Sequence, residues 1–388
     1  MVLLLPLAFA ALPGSFDDLG TVLRPDPAGA FAKGMGAPSV EWDGTQFVMF
    51  FESPAPDAQV PEGCGGAYQI GRATSPDGET WTVDAAPALS FAGEPGTTRY
   101  CSVSQPAVAF DGRAWNLFWN SSREPAEGST TNQPTGIGWA TSGDGVSWRV
   151  QAETLVPYQD KPMGLPSAAT VNGKQYLLWS EFPNLFVISR PAEGGAWTQP
   201  ALAIDHEAVG AWSSLWVLGP SLVCSEDPAS PLGLLFAGDD EESGARSLAW
   251  AESRDGVAWT VDPASPLSGG SLDYGSLNHW ELVGFAEGGA MLFYSRTDET
   301  SGTKAIGVAA TGTLSGDPLP RVCPNPYVST DTGEPGDTGG PDTGTADTGE
   351  DSGNGTADDG CGCRSTDRGA ISALALLGLL VAGRRRQA

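Results

Sequence analysis

Three stretches decide the fold: IGRATSPDGETWTV (70–83), IGWATSGDGVSWRV (137–150) and LAWAESRDGVAWTV (248–261). Each begins as an apolar strand, breaks at a glycine turn, and resumes as a second short strand. All three carry Ser-x-Asp-Gly-x-x-Trp, at 75–81, 142–148 and 253–259. A weaker copy ends at Trp197, and IGVAATG (306–312) keeps the first strand alone.

Working outward, each of these is preceded by another hairpin. The copies are PSVEWDGTQFVMFFES (38–53), PAVAFDGRAWNLFWNSS (106–122), PSAATVNGKQYLLWSE (166–181), PSLVCSEDPASPLGLLFAGDD (220–240) and ELVGFAEGGAMLFYSR (281–296). Their turns are Asp43-Gly44, Asp111-Gly112, Asn172-Gly173 and Gly288-Gly289, with a longer one in the fourth copy. Such dipeptides favour tight hairpins because both central residues take positive φ. Two hairpins make a four-stranded antiparallel unit, and five units follow one another at about sixty-residue spacing.

The expected fold is all-β: a five-bladed β-propeller over residues 20–318. A sandwich of hairpins is the competing arrangement, and five consecutive four-strand copies argue against it. The fifth unit lacks an outer strand at its C-terminal end. Thr21–Pro25 (TVLRP) matches the segments that follow the tryptophans, such as TLVPY (154–158). Residues 20–25 are therefore expected to complete blade 5, which removes exposed strand edges. Trp81, Trp148 and Trp259 are assigned to packing between blades.

The strand order puts the short glycine turns on one face. The long connections (52–68, 84–104, 120–135, 151–165, 199–218 and 262–280) fall on the other, where a rigid scaffold builds its sites. Tyr100, Gln105, Trp212, Trp216, His279 and Trp280 are the ligand-binding candidates on that face. Aromatics beside amides suit a carbohydrate, through stacking and polar contacts. Glu52, Glu181 and Asp239 end the second strands of blades 1, 3 and 4, and Glu281 opens blade 5 beside His279. These four are weak catalytic candidates, because charged residues commonly end strands.

The 388 residues carry 20 Lys and Arg against 47 Asp and Glu, a formal net charge of −27. Such a surface repels nucleic acid and anionic lipid, which excludes both as partners. Six cysteines, at 64, 101, 224, 323, 361 and 363, form no CxxC pair, and the only histidines are His206 and His279. No metal site of Cys/His spacing is expected. Disulfides Cys64–Cys101 and Cys224–Cys323 are expected in an exported chain, other connectivities being open to the sequence.

The two ends point to export. Residues 1–11 read as a signal peptide: Val2–Ala11 is a short apolar core followed by small residues, with AFA ending at Ala10. Residues 326–360 read as a disordered linker built on repeated Asp-Thr-Gly, whose Gly and like charges cannot offset the entropy of ordering. Its aspartates have no fixed geometry for Ca²⁺, so no cofactor is expected. Residues 361–388 combine Gly-Cys-Gly-Cys at 360–363, an apolar run Ala370–Gly383 expected to be a short helix, and Arg384–Arg386. The run is shorter than the ~20 residues of a comfortable span, and the arginines fit a cytoplasmic stop. This tail resembles the MYXO-CTERM sorting segment of myxobacteria and relatives. The resemblance implies display at the cell surface or outer envelope, a membrane anchor and a sorting protease. A monomer is expected.

The repeat geometry over about residues 20–315 resembles the five-bladed propeller glycosidases, such as glycoside hydrolase families 43, 32 and 130. In family 43 a base aspartate precedes the proline opening blade 1, and a second aspartate precedes that of blade 3. The acid is the glutamate of a Glu-Gly-Pro opening blade 4. Those positions here are Ala37, Leu165 and Leu218. Glycoside hydrolysis needs one protonated and one ionised carboxyl flanking the bond, and none of the three can move a proton. The expectation is a non-catalytic, surface-displayed propeller that binds carbohydrate or another extracellular ligand. The alternatives are a furanosidase- or sialidase-like hydrolase using relocated carboxylates, and a structural surface protein with no small ligand. Sialidases also need an arginine triad, and only Arg99 and Arg296 are placed on the ligand face.

Overall fold

The alternation of the repeats becomes strand pairing. The structure is a computed structural model that describes residues 15–110, 113–224 and 230–320, and the backbone of 322–323. The signal segment 1–11, the linker 326–360 and the sorting segment 361–388 lie outside the described residues, as does the Asp111-Gly112 turn.

A first strand, β1 (Asp17–Leu23), precedes everything else. The first meander is β2 (Gly36–Trp42), β3 (Phe47–Pro54), β4 (Tyr68–Ser75) and β5 (Thr82–Val83). The second is β6 (Ser102–Phe110), β7 (Trp115–Pro125), β8 (Asn132–Ser142) and β9 (Arg149–Pro157). The third is β10 (Met163–Val171), β11 (Lys174–Glu181), β12 (Asn184–Pro191) and β13 (Ala201–Ile204). The fourth is β14 (Trp216–Val223), β15 (Leu232–Asp239), β16 (Arg246–Ser253) and β17 (Thr260–Val261). The fifth is β18 (Trp280–Gly284), β19 (Ala290–Thr297) and β20 (Lys304–Thr311). Within each meander sequence neighbours pair antiparallel. Among the described residues the α-helix is confined to the four-residue α1 (His206–Val209).

β1 pairs antiparallel with β20, from Asp17 opposite Ala310 to Leu23 opposite Ile306. The closing strand thus begins three residues before the expected 20–25. Phe16 fixes it: its side chain is fully buried, and its carbonyl accepts from Leu272 N–H. The inner strands β2, β6, β10, β14 and β18 touch in cyclic order, β18 returning to β2.

The core lies between meanders, and the period of two explains it. On β3, Phe47, Met49 and Phe51 pack toward the fifth meander, while Val48 and Phe50 pack toward the second. On β11, Leu177 and Trp179 face the second meander, while Tyr176 and Leu178 face the fourth. Both faces are buried, so the second strands read as unbroken apolar runs. The repeat tryptophans sit in these layers, as expected. Trp148 meets Phe50 edge to face at 5.5 Å, and Trp81 meets Phe293 at 5.8 Å. Trp197, from the weak copy, does the same to Phe118 at 5.9 Å. It also covers Arg190, whose guanidinium lies 4.1 Å from the Trp139 ring and 5.0 Å from Trp197.

After β20 the chain crosses the glycine-turn face as a strap. Glu287 N–H donates to Ser315 O, Ala286 N–H to Asp317 O, and Leu319 N–H to Gly284 O. Pro318, Leu319 and Pro320 are buried. The strap ends in β21 (Val322–Cys323), parallel to β10 with Val322 opposite Thr170 and Cys323 opposite Val171. Cys64–Cys101 is a disulfide, as expected. Cys224 is also disulfide-bonded; the side chain of its expected partner Cys323 lies outside the described residues.

Candidate ligand-binding face

The long-loop face centres on the start of the inner strands. In four of them a proline follows a break in register: Gly36/Ser39, Ser104/Ala107, Gly164/Ser167 and Leu218/Ser221. The residue before each proline is left-handed: Ala37 (φ 44°), Gln105 (49°), Leu165 (55°) and Gly219 (62°). For the three that are not glycine this costs roughly 1–2 kcal/mol each, so the surroundings must hold them. Each is a β-bulge, and in three of them the bulge residue, Ala37, Gln105 or Leu165, lines the centre of the face.

What holds them is one clasp per bulge, reaching from the preceding meander. Ala37 N–H donates to Ser295 Oγ at 2.7 Å. Gln105 N–H donates to Glu52 Oε2 at 3.2 Å, Leu165 N–H to Gln105 Oε1 at 2.9 Å, and Gly219 N–H to Ser180 Oγ at 3.0 Å. The serines after three prolines add a second row. Ser39, Ser167 and Ser221 hydroxyls accept from Val108, Leu222 and Leu282 N–H of the following meander.

These residues enclose a cavity of about 20 Å³, lined by Ala37, Gln105, Leu165, Gly219, His279 and Trp280 with the neighbouring prolines and Glu281. That is room for one or two water molecules, and no sugar ring fits. Both ring nitrogens of His279 are buried without a hydrogen-bond partner among the described residues. Burial, helped by Lys304 and Arg246 and opposed by Glu52, pushes its pKa down to about 4. It is therefore neutral at pH 7.

The four carboxylate candidates have different fates. Burial would raise the Glu52 carboxyl, but Lys304, His279 and the Gln105 N–H outweigh it and hold it below the ordinary range. Lys304 Nζ lies 2.9 Å from Glu52 Oε1. Asp239 accepts from Arg246 Nε and Nη2, both at 2.7 Å, and from Trp216 Nε1 at 2.7 Å. Arg246 also donates to Leu277 O, so this group ties the fourth meander to the loop before the fifth. Glu281 is buried between hydroxyls, accepting from Ser39 Oγ at 3.2 Å and from Ser221 Oγ. Glu181 is half-buried, with no hydrogen bond or ion pair to its carboxylate among the described residues.

The six ligand candidates are not brought into one pocket. Gln105, His279 and Trp280 line the central cavity. Trp280 is 6% exposed, its ring lying where a Cβ on Gly219 would fall, 2.4 Å away, so it offers a ligand little surface. Trp212 packs on Phe236 at 6.2 Å and over Gly238. Tyr100 donates to Glu62 O beside the Cys64–Cys101 bridge. Trp216 is half-buried and meets Phe182 edge to face at 5.1 Å. Both pack with Leu165 over the layer between the fourth and fifth meanders. Phe182 and Leu165 were not singled out as ligand contacts in the sequence. Their signal was position alone: Phe182 follows Glu181, and Leu165 precedes a proline. Among the described residues no three His, Cys, Asp or Glu side chains cluster as a metal site.

Neither a family model nor a curated protein matches the sequence. Solved structures match in fold. The catalytic domain of the family 62 α-L-arabinofuranosidase from Coprinopsis cinerea has a TM-score of 0.54 at 13% identity, over 79% of this chain and 100% of that one. The α-L-arabinofuranosidase from Podospora anserina, solved with cellotriose, has a TM-score of 0.54 at 14% identity, over 78% and 99%. A glycosyl hydrolase from Bacteroides ovatus has a TM-score of 0.50 at 15% identity, over 81% and 96%. At these identities the likeness is one of fold. The scaffold is a propeller-type fold shared with these solved structures.

Proposed function

We propose that this chain is an exported, surface-displayed five-bladed propeller that binds carbohydrate without cleaving it. The observation that carries the reading is the inner ring of the long-loop face. Where the resemblance implies proton-transfer groups, the chain has Ala37, Leu165 and Leu218. The carboxylates closest to replacing them are engaged: Glu52 with Lys304, Asp239 with Arg246 and Trp216, Glu281 with two serines. An acid catalyst must hold a proton near neutral pH, and the Lys304 pairing does the opposite to Glu52. The solved hydrolases of the same fold, one with cellotriose, support a saccharide as the ligand. Val2–Ala11, the Asp-Thr-Gly linker and the Ala370–Arg386 segment support export and anchoring.

The test pairs cleavage with binding. The full chain is incubated with aryl arabinosides, xylosides, fructosides and sialosides, and is titrated with a panel of glycans. Saturable binding with no product release is the expected result. Turnover that disappears in Glu181→Gln would make the protein a hydrolase with a relocated carboxylate. A panel with no binding at all would leave a structural surface protein.

A further inference from the structure

We propose that the long-loop face grips the interior of a neutral polysaccharide chain, across Leu165, Phe182 and Trp216 with Glu181 as acceptor, and has no pocket for a chain end. The inference rests on the carbohydrate-binding reading and narrows it to a mode of recognition.

The first argument is volume. A chain-end site needs a cavity that takes a sugar ring, and the axial position offers about 20 Å³. The filling is built in. Leu165 and Gln105 are turned into the axis by left-handed backbone, and the clasps from Glu52 and Gln105 keep them there. Trp280 is wedged against the Gly219 backbone below. A ligand therefore lies across the mouth.

The second argument is the chemistry beside the mouth. Leu165, Phe182 and Trp216 are half-buried and pack on one core layer, Phe182 meeting Trp216 edge to face and Leu165 lining the cavity. Trp216 is fixed at one end by its indole N–H on Asp239, so it is presented with little rotamer freedom to lose. Sugar C–H faces pack on such surfaces, and one acceptor beside them orients the hydroxyls. Glu181 precedes Phe182 at the rim, and its carboxylate is unengaged among the described residues.

The third argument is charge. Four cations around the face are paired, Arg246 with Asp239, Lys304 with Glu52, Arg296 with Asp18 and Arg99 with Glu153, while Lys161 is exposed on the loop before β10. A formal net charge of −27 further disfavours an anionic polymer. The acceptor at Glu181, the paired arginines and the net negative charge together favour hydroxyls over carboxylates or sulfates.

The experiment is a calorimetric titration of the full chain with neutral xylo-, arabino- and cello-oligosaccharides from one to six units, their polymers, and a uronic-acid polymer. Affinity rising with chain length, with no competition from the monosaccharide, is the expected result. Glu181→Gln should weaken hexasaccharide binding about tenfold, the effect of a hydrogen bond to a charged group, without changing Tm. Trp216→Phe should weaken it too, and keeps a ring in place should Trp216→Ala fail to fold. A monosaccharide bound as tightly as the hexamer, or tighter binding of the uronic polymer than of any neutral chain, overturns this mode and leaves carbohydrate binding standing. Binding to no saccharide in the series overturns the underlying reading.

Discussion

At Glu52 two opposing effects meet. Burial disfavours its charge, while Lys304 and the Gln105 N–H favour it, and the second set wins. A carboxyl whose folded pKa is depressed adds stability that is present above its unfolded value and lost as pH falls through the folded one. His279 is depressed too, to about 4 from 6.5, so the unfolded chain takes up its proton first. Stability is therefore expected to be flat above about pH 6.5. It falls between about 6.5 and 4 through His279, and continues to fall below about 4.3 as Glu52 and the depressed turn aspartates Asp77, Asp144 and Asp255 are protonated. Melting temperature against pH checks this: His279→Gln should flatten the upper window. Glu52→Gln should cost about 1 kcal/mol at neutral pH, discounted because Lys304 is partly exposed, and its deficit should shrink in acid. A His279→Gln slope equal to the parent's would refute the first assignment.

At the scale of elements, the Ser-x-Asp-Gly-x-x-Trp turn is a self-contained device. In all three copies the serine hydroxyl accepts the glycine N–H, at 2.8–2.9 Å. The aspartate accepts the two N–H groups that follow, as Asp144 does from Val146 and Ser147. These bonds hold the Asp77, Asp144 and Asp255 carboxyls below the ordinary range. The turn aims its tryptophan at the preceding meander, which is why Trp148 lies on Phe50. Trp148→Ala should cost about 3 kcal/mol by denaturant unfolding, the lower end for a large aromatic because the ring is half-buried. A loss under 1 kcal/mol would mean the layer does not depend on it.

These same elements mark the limit of what the sequence conveys. The hairpins could be read because Asp-Gly turns and period-two runs are local, and the turns placed Trp81, Trp148 and Trp259 between units. The clasps could not, because donor and acceptor are distant in sequence: 53 residues for Glu52–Gln105 and 258 for Ser295–Ala37. Glu52, Asp239 and Glu281 thus looked like catalytic candidates, their partners Lys304, Arg246, Ser39 and Ser221 being visible only in the fold. The strap from Thr313 to Cys323 was missed because a short Pro-rich segment has no periodicity to betray it.

For the whole molecule, ring closure joins sequence extremes through β1 on β20, reinforced by Arg24 with Asp298 and Arg296 with Asp18. Deleting residues 15–23 should expose the β20 edge and turn the protein aggregation-prone; a soluble variant of unchanged Tm would show that closure is dispensable. Within the ring, Cys64–Cys101 fixes the 55–67 loop to the root of β6 across a separation of 37 residues.

The strap also settles where a mechanical pull would enter. A pull applied at Cys323 would load β21, which runs alongside the innermost strand of the third meander, at the turn-face end of β10. Tension would arrive near the hub and could not peel an outermost strand away from its blade.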